Sequence, residues 1–146
     1  MTDPAPLERT AYRYFQPITT RWMDNDVYGH VNNVVYFAYF DTVINRYLIA
    51  QGGLDVHATG GAIGLCVESH CQYFKSIAFP SDIDAGMRVA HIGRSSVRYE
   101  IGIFVRGDAE ASATGWFVHV FVDSASRKST PIPDRIRDAL ERLVIA

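Results

Sequence analysis

Side chains that can carry out acid–base or nucleophilic chemistry are concentrated in one short stretch of this 146-residue chain, residues 21–33. The stretch is Arg-Trp-Met-Asp-Asn-Asp-Val-Tyr-Gly-His-Val-Asn-Asn, so carboxylates, carboxamides, an imidazole and a phenol lie close together. Carboxylates and imidazoles are common proton carriers, and a carboxylate can also attack a carbonyl carbon. Gly29 adds a point where the backbone can approach a ligand. We therefore expect a catalytic or binding site in this stretch.

The stretch lies between a predicted strand and a predicted helix. Residues 12–22 predict the strand, and Pro17 favours a position at the edge of a sheet. Residues 33–51 are mostly apolar and contain no Gly or Pro, which predicts a long helix with Asn32 or Asn33 as its N-cap. A helix N-terminus carries unpaired N–H groups and a partial positive charge. It can hold an anion, or a carbonyl oxygen that is becoming negative.

The rest of the chain supplies strands that can enclose this apolar helix. Turn signals separate four further predicted strands, over residues 62–74, 83–92, 97–105 and 112–122. A short helix is expected over residues 133–144, with Pro133 in its first turn. Successive hairpin-like connections imply an antiparallel sheet. The pattern thus predicts an α+β domain in which a five-stranded sheet packs on one long helix.

Composition and charge limit the classes of function. Hydrophobic residues make up 48% of the chain and charged residues 21%, which suits a single globular domain over residues 1–146, with residues 1–9 as a loose polar tail. The net charge of -2 gives no reason to expect a nucleic-acid partner or a membrane surface. The N-terminus has no basic region followed by an apolar run, so we expect no signal peptide.

The two cysteines and the histidines suggest neither a disulfide nor a metal site. Cys66 and Cys71 are five apart in a predicted strand, which would put them on opposite faces and keep them from bridging. Reduced thiols and no export signal predict a cytoplasmic protein. Glu68 and His70 share a strand face, but no third ligand has a matching spacing, so no metal is predicted.

The spacing Asp-x-Asp-x-x-Gly-His-Val-Asn-Asn-x-x-Tyr, from Asp24 to Tyr36, resembles the hotdog-fold acyl-CoA thioesterases of the 4-hydroxybenzoyl-CoA thioesterase type. The resemblance continues from Tyr12 to Leu143 and includes the segments 73–76, 93–97 and 131–133. It implies the hotdog fold, in which a five-stranded antiparallel sheet wraps around one long helix. It also implies a small-molecule acyl-CoA substrate and no cofactor, since coenzyme A is part of the substrate.

The resemblance implies roles for residues of the motif. Asp26 would act on the thioester, as general base for water or as nucleophile, whereas Asp24 is expected to bond loop amides. His30 either polarises the carbonyl or orients water, or else fixes the loop by hydrogen bonds. Asn33 is a further candidate catalytic residue, and Tyr36 a candidate contact of the acyl group.

A second group of candidate residues, Arg94, Ser95 and Ser96, forms a predicted turn between two strands. A tight turn exposes backbone N–H groups, and the guanidinium and two hydroxyls add donors for phosphate. The resemblance places the phosphates of coenzyme A near this turn. It also implies a homodimer or homotetramer, which agrees with a helix that is apolar on most of its circumference and a sheet whose edges need protection.

Three functions are compatible with this sequence. The first is an acyl-CoA thioesterase, which releases a carboxylic acid and free coenzyme A. The second is a hotdog enoyl-CoA hydratase or dehydratase, which also needs an acid–base pair. The third is a non-catalytic acyl-CoA binding module, which would not need Asp26. An aspartate at the entrance of the helix favours catalysis.

Overall fold

One antiparallel sheet and one long helix make up most of the structure, a computed structural model that describes residues 6–56, 58 and 60–145. In chain order the strands and helices are β1 (Tyr14–Thr19), α1 (Val35–Gly52), β2 (Ala62–Tyr73), β3 (Asp82–Ile92), β4 (Ser96–Val105), β5 (Ala113–Asp123) and α2 (Asp134–Glu141). The predicted hotdog architecture is confirmed, and each predicted element is present with its ends shifted by a few residues.

The strands are arranged in the order β1-β3-β4-β5-β2, and every neighbouring pair is antiparallel. The edge position expected for β1 from Pro17 is therefore correct. The expectation of hairpin-like connections throughout is wrong at one place, because β2 pairs with β5 and not with β3. The chain must cross the sheet between β2 and β3, and this leaves β1 and β2 as the two edges.

The helix α1 is buried along one face, where residues recur at the spacing of a helical turn: Tyr36, Tyr39, Phe40, Val43, Ile44, Tyr47 and Leu48. These side chains form one core with the inner face of the sheet and with α2. Gly53 ends the helix in the left-handed conformation, with φ 68°. The predicted N-cap is wrong by one or two residues, because Val34 holds that position with helical dihedral angles.

The N-terminal segment is less free than predicted. Residues 1–5 of the expected tail lie outside the described residues, but the residues that follow are held against the β4–β5 connection. The Ala111 N–H donates to the Leu7 carbonyl at 2.9 Å, and the Arg9 N–H donates to the Ala109 carbonyl at 3.2 Å. The Arg9 guanidinium also pairs with Asp84 at 3.0 Å. Residues 7–9, which the sequence predicts to be part of a loose tail, are therefore bonded to the rest of the chain.

A bulge in β2 changes which side chains face the helix. The register against β5 shifts between Cys66 and Glu68, so one extra residue is inserted there. Cys66 lies opposite His119 and Cys71 opposite Gly115, positions of the same parity in β5. The prediction that the cysteines lie on opposite faces is thus wrong, although both are free thiols as expected.

The inner face of the sheet buries a histidine. His119 is 4% exposed, and its Nδ1 lies 3.1 Å from the hydroxyl of the fully buried Tyr99. Burial disfavours the charged imidazolium and lowers the pKa of His119 from 6.5 to about 4. The folded protein thus carries a neutral imidazole here under conditions in which the unfolded chain would already be protonated.

This burial predicts a specific loss of stability in acid. Between pH 6.5 and about pH 4, His119 is protonated in the unfolded state but neutral in the folded state. The free energy of unfolding should therefore fall by about 1.4 kcal/mol for each pH unit over this range. Urea unfolding of His119→Gln, which can still bond Tyr99, should show a shallower decline between pH 7 and pH 5. The exposed His91 is the control, because His91→Gln should keep the wild-type slope. Equal slopes in all three proteins would contradict the assignment.

Candidate active site

A buried carboxylate fixes the loop that leaves β1. Asp24 ends a short 3₁₀ helix, Trp22–Asp24, and is 1% exposed. It accepts hydrogen bonds from the Arg21 N–H at 2.9 Å and the Tyr39 hydroxyl at 2.8 Å, and pairs with the Arg21 guanidinium at 3.1 Å. The Asn32 N–H donates to the Asp24 carbonyl at 2.9 Å. Asp24 therefore joins both ends of the loop to α1, in the structural role expected of it.

Two residues further on, Asp26 is half-buried, and its carboxylate lies at the surface of the loop. One oxygen accepts the Tyr28 N–H at 2.9 Å, and the other accepts the Asn32 side-chain amide at 3.1 Å. The Asp26 N–H donates to the His30 carbonyl at 3.0 Å. Gly29 makes this tight turn possible with φ 82°, and nothing lies within 4 Å of where its β-carbon would be. The glycine thus serves the turn and not a close approach of another chain segment.

Asn32 connects the carboxylate to the helix. Its side-chain nitrogen donates to Asp26, while its side-chain oxygen accepts the Val34 N–H at 3.0 Å. Its carbonyl accepts the Val35 N–H at 2.9 Å, at the first residue of α1. One side chain therefore fixes the position of Asp26 relative to the positive end of the helix.

The predicted catalytic residues do not share one cavity. A cavity of about 230 Å³, here called the His30 cavity, is bordered by His30, Val31, Asn33, Tyr36 and residues 73–76. Asp26 lies instead in an open hollow of about 630 Å³, here called the Asp26 hollow, which is bordered by Trp22, residues 25–29 and Asn32. The loop separates the two spaces, and the Asp26 carboxylate is bonded to Tyr28 and Asn32, not to the His30 ring.

Hydroxyl donors border the His30 cavity. Burial raises the pKa of Tyr36 to about 12, so its hydroxyl stays protonated at neutral pH. The Tyr73 hydroxyl donates to the Asn33 carbonyl at 3.0 Å, and its ring packs edge-on against Tyr36. Beside them, burial raises the pKa of the Cys71 thiol to about 11. Cys71 is therefore a neutral thiol at neutral pH and a poor nucleophile.

The predicted phosphate-binding turn is at the opposite end of the sheet. The loop after β1 leaves beside Asp82, because Thr19 pairs with that residue, whereas the turn of Arg94 and Ser95 follows Ile92. An eleven-residue strand is roughly 35 Å long. Arg94, Ser95 and Ser96 are thus far from Asp26 within one chain.

Hydrogen bonds from α2 and from the segment before it hold the turn in place. The Arg137 guanidinium donates to the Gly93 carbonyl at 2.7 Å and to the Arg94 carbonyl at 3.0 Å. The Ile132 N–H also donates to the Arg94 carbonyl, at 3.0 Å. The Arg94 side chain is exposed, so two guanidinium groups lie at this end of the sheet.

The sequence interpretation did not find three residues that the structure brings to these places. Asn32 lies inside the motif, but the spacing predicts only an N-cap for it, because its bond to Asp26 depends on a turn that spacing does not reveal. Trp22 had no signal beyond its position beside the motif. Arg137 had none at all, because α2 meets the turn only in the folded chain.

Within the described part of the chain, no group of three or more His, Cys, Asp or Glu side chains is arranged to hold a metal ion. No helix among residues 6–56, 58 and 60–145 is long and apolar enough to span a membrane.

Comparison with known proteins gives the family context. The model of a family described as the thioesterase-like superfamily matches residues 20–140. The chain is 52% identical to the PA5185 protein of Pseudomonas aeruginosa strain PAO1, with a TM-score of 0.95 over 97% of this chain and 99% of that one. It is 30% identical to the PA2801 protein of Pseudomonas aeruginosa, a proposed thioesterase, with a TM-score of 0.78 over 86% and 95% of the two chains.

A more distant structure shares the fold. Slr0204 of Synechocystis, a 1,4-dihydroxy-2-naphthoyl-CoA thioesterase, is 15% identical, with a TM-score of 0.79 over 87% of this chain and 94% of that one. At this level of identity the likeness extends to the architecture alone.

The different burial of the two aspartates predicts different effects on stability. Asp24→Asn should lower the free energy of unfolding by about 3 kcal/mol, because the donors from Arg21 and Tyr39 would then face a neutral amide and not a carboxylate. Asp26→Asn should change it by less than about 1 kcal/mol, because this carboxylate is open to solvent. Urea unfolding of the two variants provides the comparison. Equal losses would show that Asp26 is also a structural anchor.

Proposed function

The chain belongs to the thioesterase-like superfamily, and we propose that it is an acyl-CoA thioesterase that hydrolyses its substrate to a carboxylic acid and free coenzyme A. Within that superfamily we propose the 4-hydroxybenzoyl-CoA thioesterase type, because the motif from Asp24 to Tyr36 resembles it. The substrate is a small molecule, and coenzyme A enters as part of it, so no separate cofactor is required.

One observation carries this proposal. The Asp26 carboxylate faces an open hollow, and Asn32 holds it next to the N-terminus of α1. A carboxylate can accept a proton from water or attack a carbonyl carbon. A helix N-terminus favours the negative charge that develops on the carbonyl oxygen. Side by side, these groups can supply a base or nucleophile and a favourable field for the oxyanion, which together are sufficient for thioester hydrolysis.

The proposed reaction has two possible routes from the same geometry. In the first, Asp26 takes a proton from water, and the hydroxide forms a bond to the thioester carbon. In the second, Asp26 itself bonds to that carbon, and water then hydrolyses the resulting anhydride. In both routes the C–S bond breaks and the coenzyme A thiolate leaves and takes up a proton. The partial positive charge at the N-terminus of α1 favours the oxyanion in either route.

We assign supporting roles to the residues of the His30 cavity. His30 and Asn33 polarise the carbonyl or orient water, and the protonated Tyr36 hydroxyl contacts the acyl group. His30 and Asn33 lie in the loop before α1 and Tyr36 lies in its first turn, just across the loop from Asp26, and this placement supports these roles. A partner chain closing over the loop would bring the two spaces into one site.

For the other end of the substrate we propose the turn of Arg94, Ser95 and Ser96 as the phosphate-binding site. The Arg137 guanidinium behind the turn adds a second positive charge and supports this assignment. The length of the sheet means that the Asp26 loop and this turn can serve one substrate molecule only if they come from different chains.

We therefore propose a homodimer or homotetramer with sites shared between chains. The edge strand β2 has an unpaired side in the described chain and carries exposed apolar residues, among them Val67 at 60% exposed. An edge of this kind is protected by pairing with the same edge of a second copy. We also propose a cytoplasmic location, which the free thiols of Cys66 and Cys71 support.

The first test is thiol release from a panel of acyl-CoA substrates by wild type and Asp26→Asn. The substitution keeps the size of the side chain and removes the base or nucleophile, so turnover should fall about 100-fold or more. Unchanged circular dichroism and coenzyme A affinity serve as controls. Near-native turnover in the variant would refute the role of Asp26. Conversion of an enoyl-CoA without thiol release would indicate the hydratase alternative, and binding without any turnover a binding module.

The second test concerns the turn. Arg94→Ala should raise KM for acyl-CoA with little change in kcat, because a phosphate contact is made in ground and transition states alike. A thioester that lacks the nucleotide should be hydrolysed equally by wild type and variant. Lost activity on that truncated substrate would show that Arg94 acts elsewhere.

The same variant tests whether sites are shared. At low substrate concentration, mixed oligomers of Asp26→Asn and Arg94→Ala chains should regain activity, since some sites then combine intact groups from both chains. Sedimentation that shows a fully active monomer at assay concentration would exclude the oligomer.

A further inference from the structure

A series of hydrogen bonds, here called the Tyr73 network, connects the edge strand β2 with the Asp26 carboxylate. It begins at the last residue of β2, Tyr73, whose hydroxyl donates to the Asn33 carbonyl at 3.0 Å. That carbonyl shares a peptide unit with the Val34 N–H, which donates to the side-chain oxygen of Asn32 at 3.0 Å. The side-chain nitrogen of Asn32 donates in turn to Asp26 at 3.1 Å.

The peptide unit between Asn33 and Val34 is the centre of this network. A peptide unit is planar, and its carbonyl and N–H point in opposite directions, so Tyr73 and Asn32 hold it from its two sides. Without the Tyr73 hydroxyl the unit is free to turn about its flanking Cα atoms and to shift the Asn32 side chain. All the donors also point towards the Asp26 carboxylate, so each bond polarises the next.

Tyr73 can act as a fixed origin because the sheet and the core hold it. Its backbone is paired with Ala113 of β5. Its ring packs edge-on against the buried ring of Tyr36, with ring centres 5.0 Å apart and planes at 85°. Tyr73 borders the His30 cavity, whereas Asn32 borders the Asp26 hollow. The Tyr73 network therefore links two spaces that the loop separates.

We infer that Tyr73 is a positioning residue, which orients the Asp26 carboxylate through the Asn33–Val34 peptide and the Asn32 side chain. This inference rests on the proposed thioesterase function and adds a residue of β2 to the site. A base or nucleophile must be aligned with the reacting carbon, and small displacements from that alignment slow the reaction.

The first test removes the hydroxyl and keeps the ring. In Tyr73→Phe, kcat for the best acyl-CoA substrate should fall roughly 5- to 20-fold while KM changes less than about 2-fold, because Asp26 acts in the reaction and not in binding. Tyr47→Phe is the matched control. The Tyr47 hydroxyl also donates to a backbone carbonyl, that of Ala139, but this bond is buried between α1 and α2. Tyr47→Phe should keep the wild-type kcat, and a wild-type kcat in Tyr73→Phe would overturn the inference.

A double-mutant cycle tests the route of the effect. Asn32→Ala removes the bond to Asp26, so adding Tyr73→Phe to this variant should cause no further loss of kcat. Losses that multiply in the double variant would show that Tyr73 does not act through Asn32, which would also overturn the inference.

Nuclear magnetic resonance gives a readout that does not depend on activity. In protein labelled with ¹⁵N, the side-chain NH₂ signals of Asn32 report the bond to Asp26. These signals should shift in Tyr73→Phe and stay at their wild-type positions in Tyr47→Phe. Unshifted Asn32 signals in Tyr73→Phe would refute the coupling even if Asn32→Ala is too inactive for the cycle.

The possible failures are distinguishable. A wild-type kcat in Tyr73→Phe would leave the thioesterase function standing and remove the role of Tyr73. A wild-type protein that hydrolyses no acyl-CoA would refute the function, and the Asn32 signals would then decide the coupling separately. A Tyr73→Phe protein that dissociates and regains kcat at high protein concentration would show that the hydroxyl serves assembly, which overturns the inference.

Discussion

The buried carboxylate of Asp24 is the interaction on which the candidate site depends. It accepts hydrogen bonds from the Arg21 backbone and the Tyr39 hydroxyl and pairs with the Arg21 guanidinium, so the end of β1, the loop and α1 meet at one charge. A buried charge is costly unless all its partners are in place. These contacts fix the conformation of the loop. Asp26, two residues away, is therefore held in one position, which a loop without such an anchor would not provide.

The side-chain amide of Asn32 then positions Asp26 relative to α1. Asn32 bonds Asp26 with one end of its side chain and the backbone before α1 with the other. Nucleophilic or basic carboxylates are effective when they are oriented before the substrate arrives. The division of labour between the two aspartates follows from burial, since the enclosed one serves structure and the accessible one is available for chemistry.

The geometry of the sheet imposes the second constraint. Because β3 separates the Asp26 loop from the Arg94 turn by its whole length, a single chain presents two incomplete halves of the proposed site. The exposed edge of β2, with its apolar side chains, supports pairing between copies that would bring such halves together. The proposed oligomer is thus a requirement of the proposed site and not an addition to it.

Local patterns in the sequence determined most of the elements and the position of the candidate site. An uninterrupted apolar segment predicted α1, alternation and turn signals predicted the strands, Pro17 predicted an edge, and the motif from Asp24 to Tyr36 predicted where the candidate site lies. The tertiary structure alone decided the pairing of β2 with β5, the bulge that turns both cysteines to one face, the contact of Arg137 with the Arg94 turn and the bond from Asn32 to Asp26. The physical reason is that periodicity and capping depend on neighbours a few residues apart, whereas strand partners and side-chain contacts depend on residues that only folding brings together.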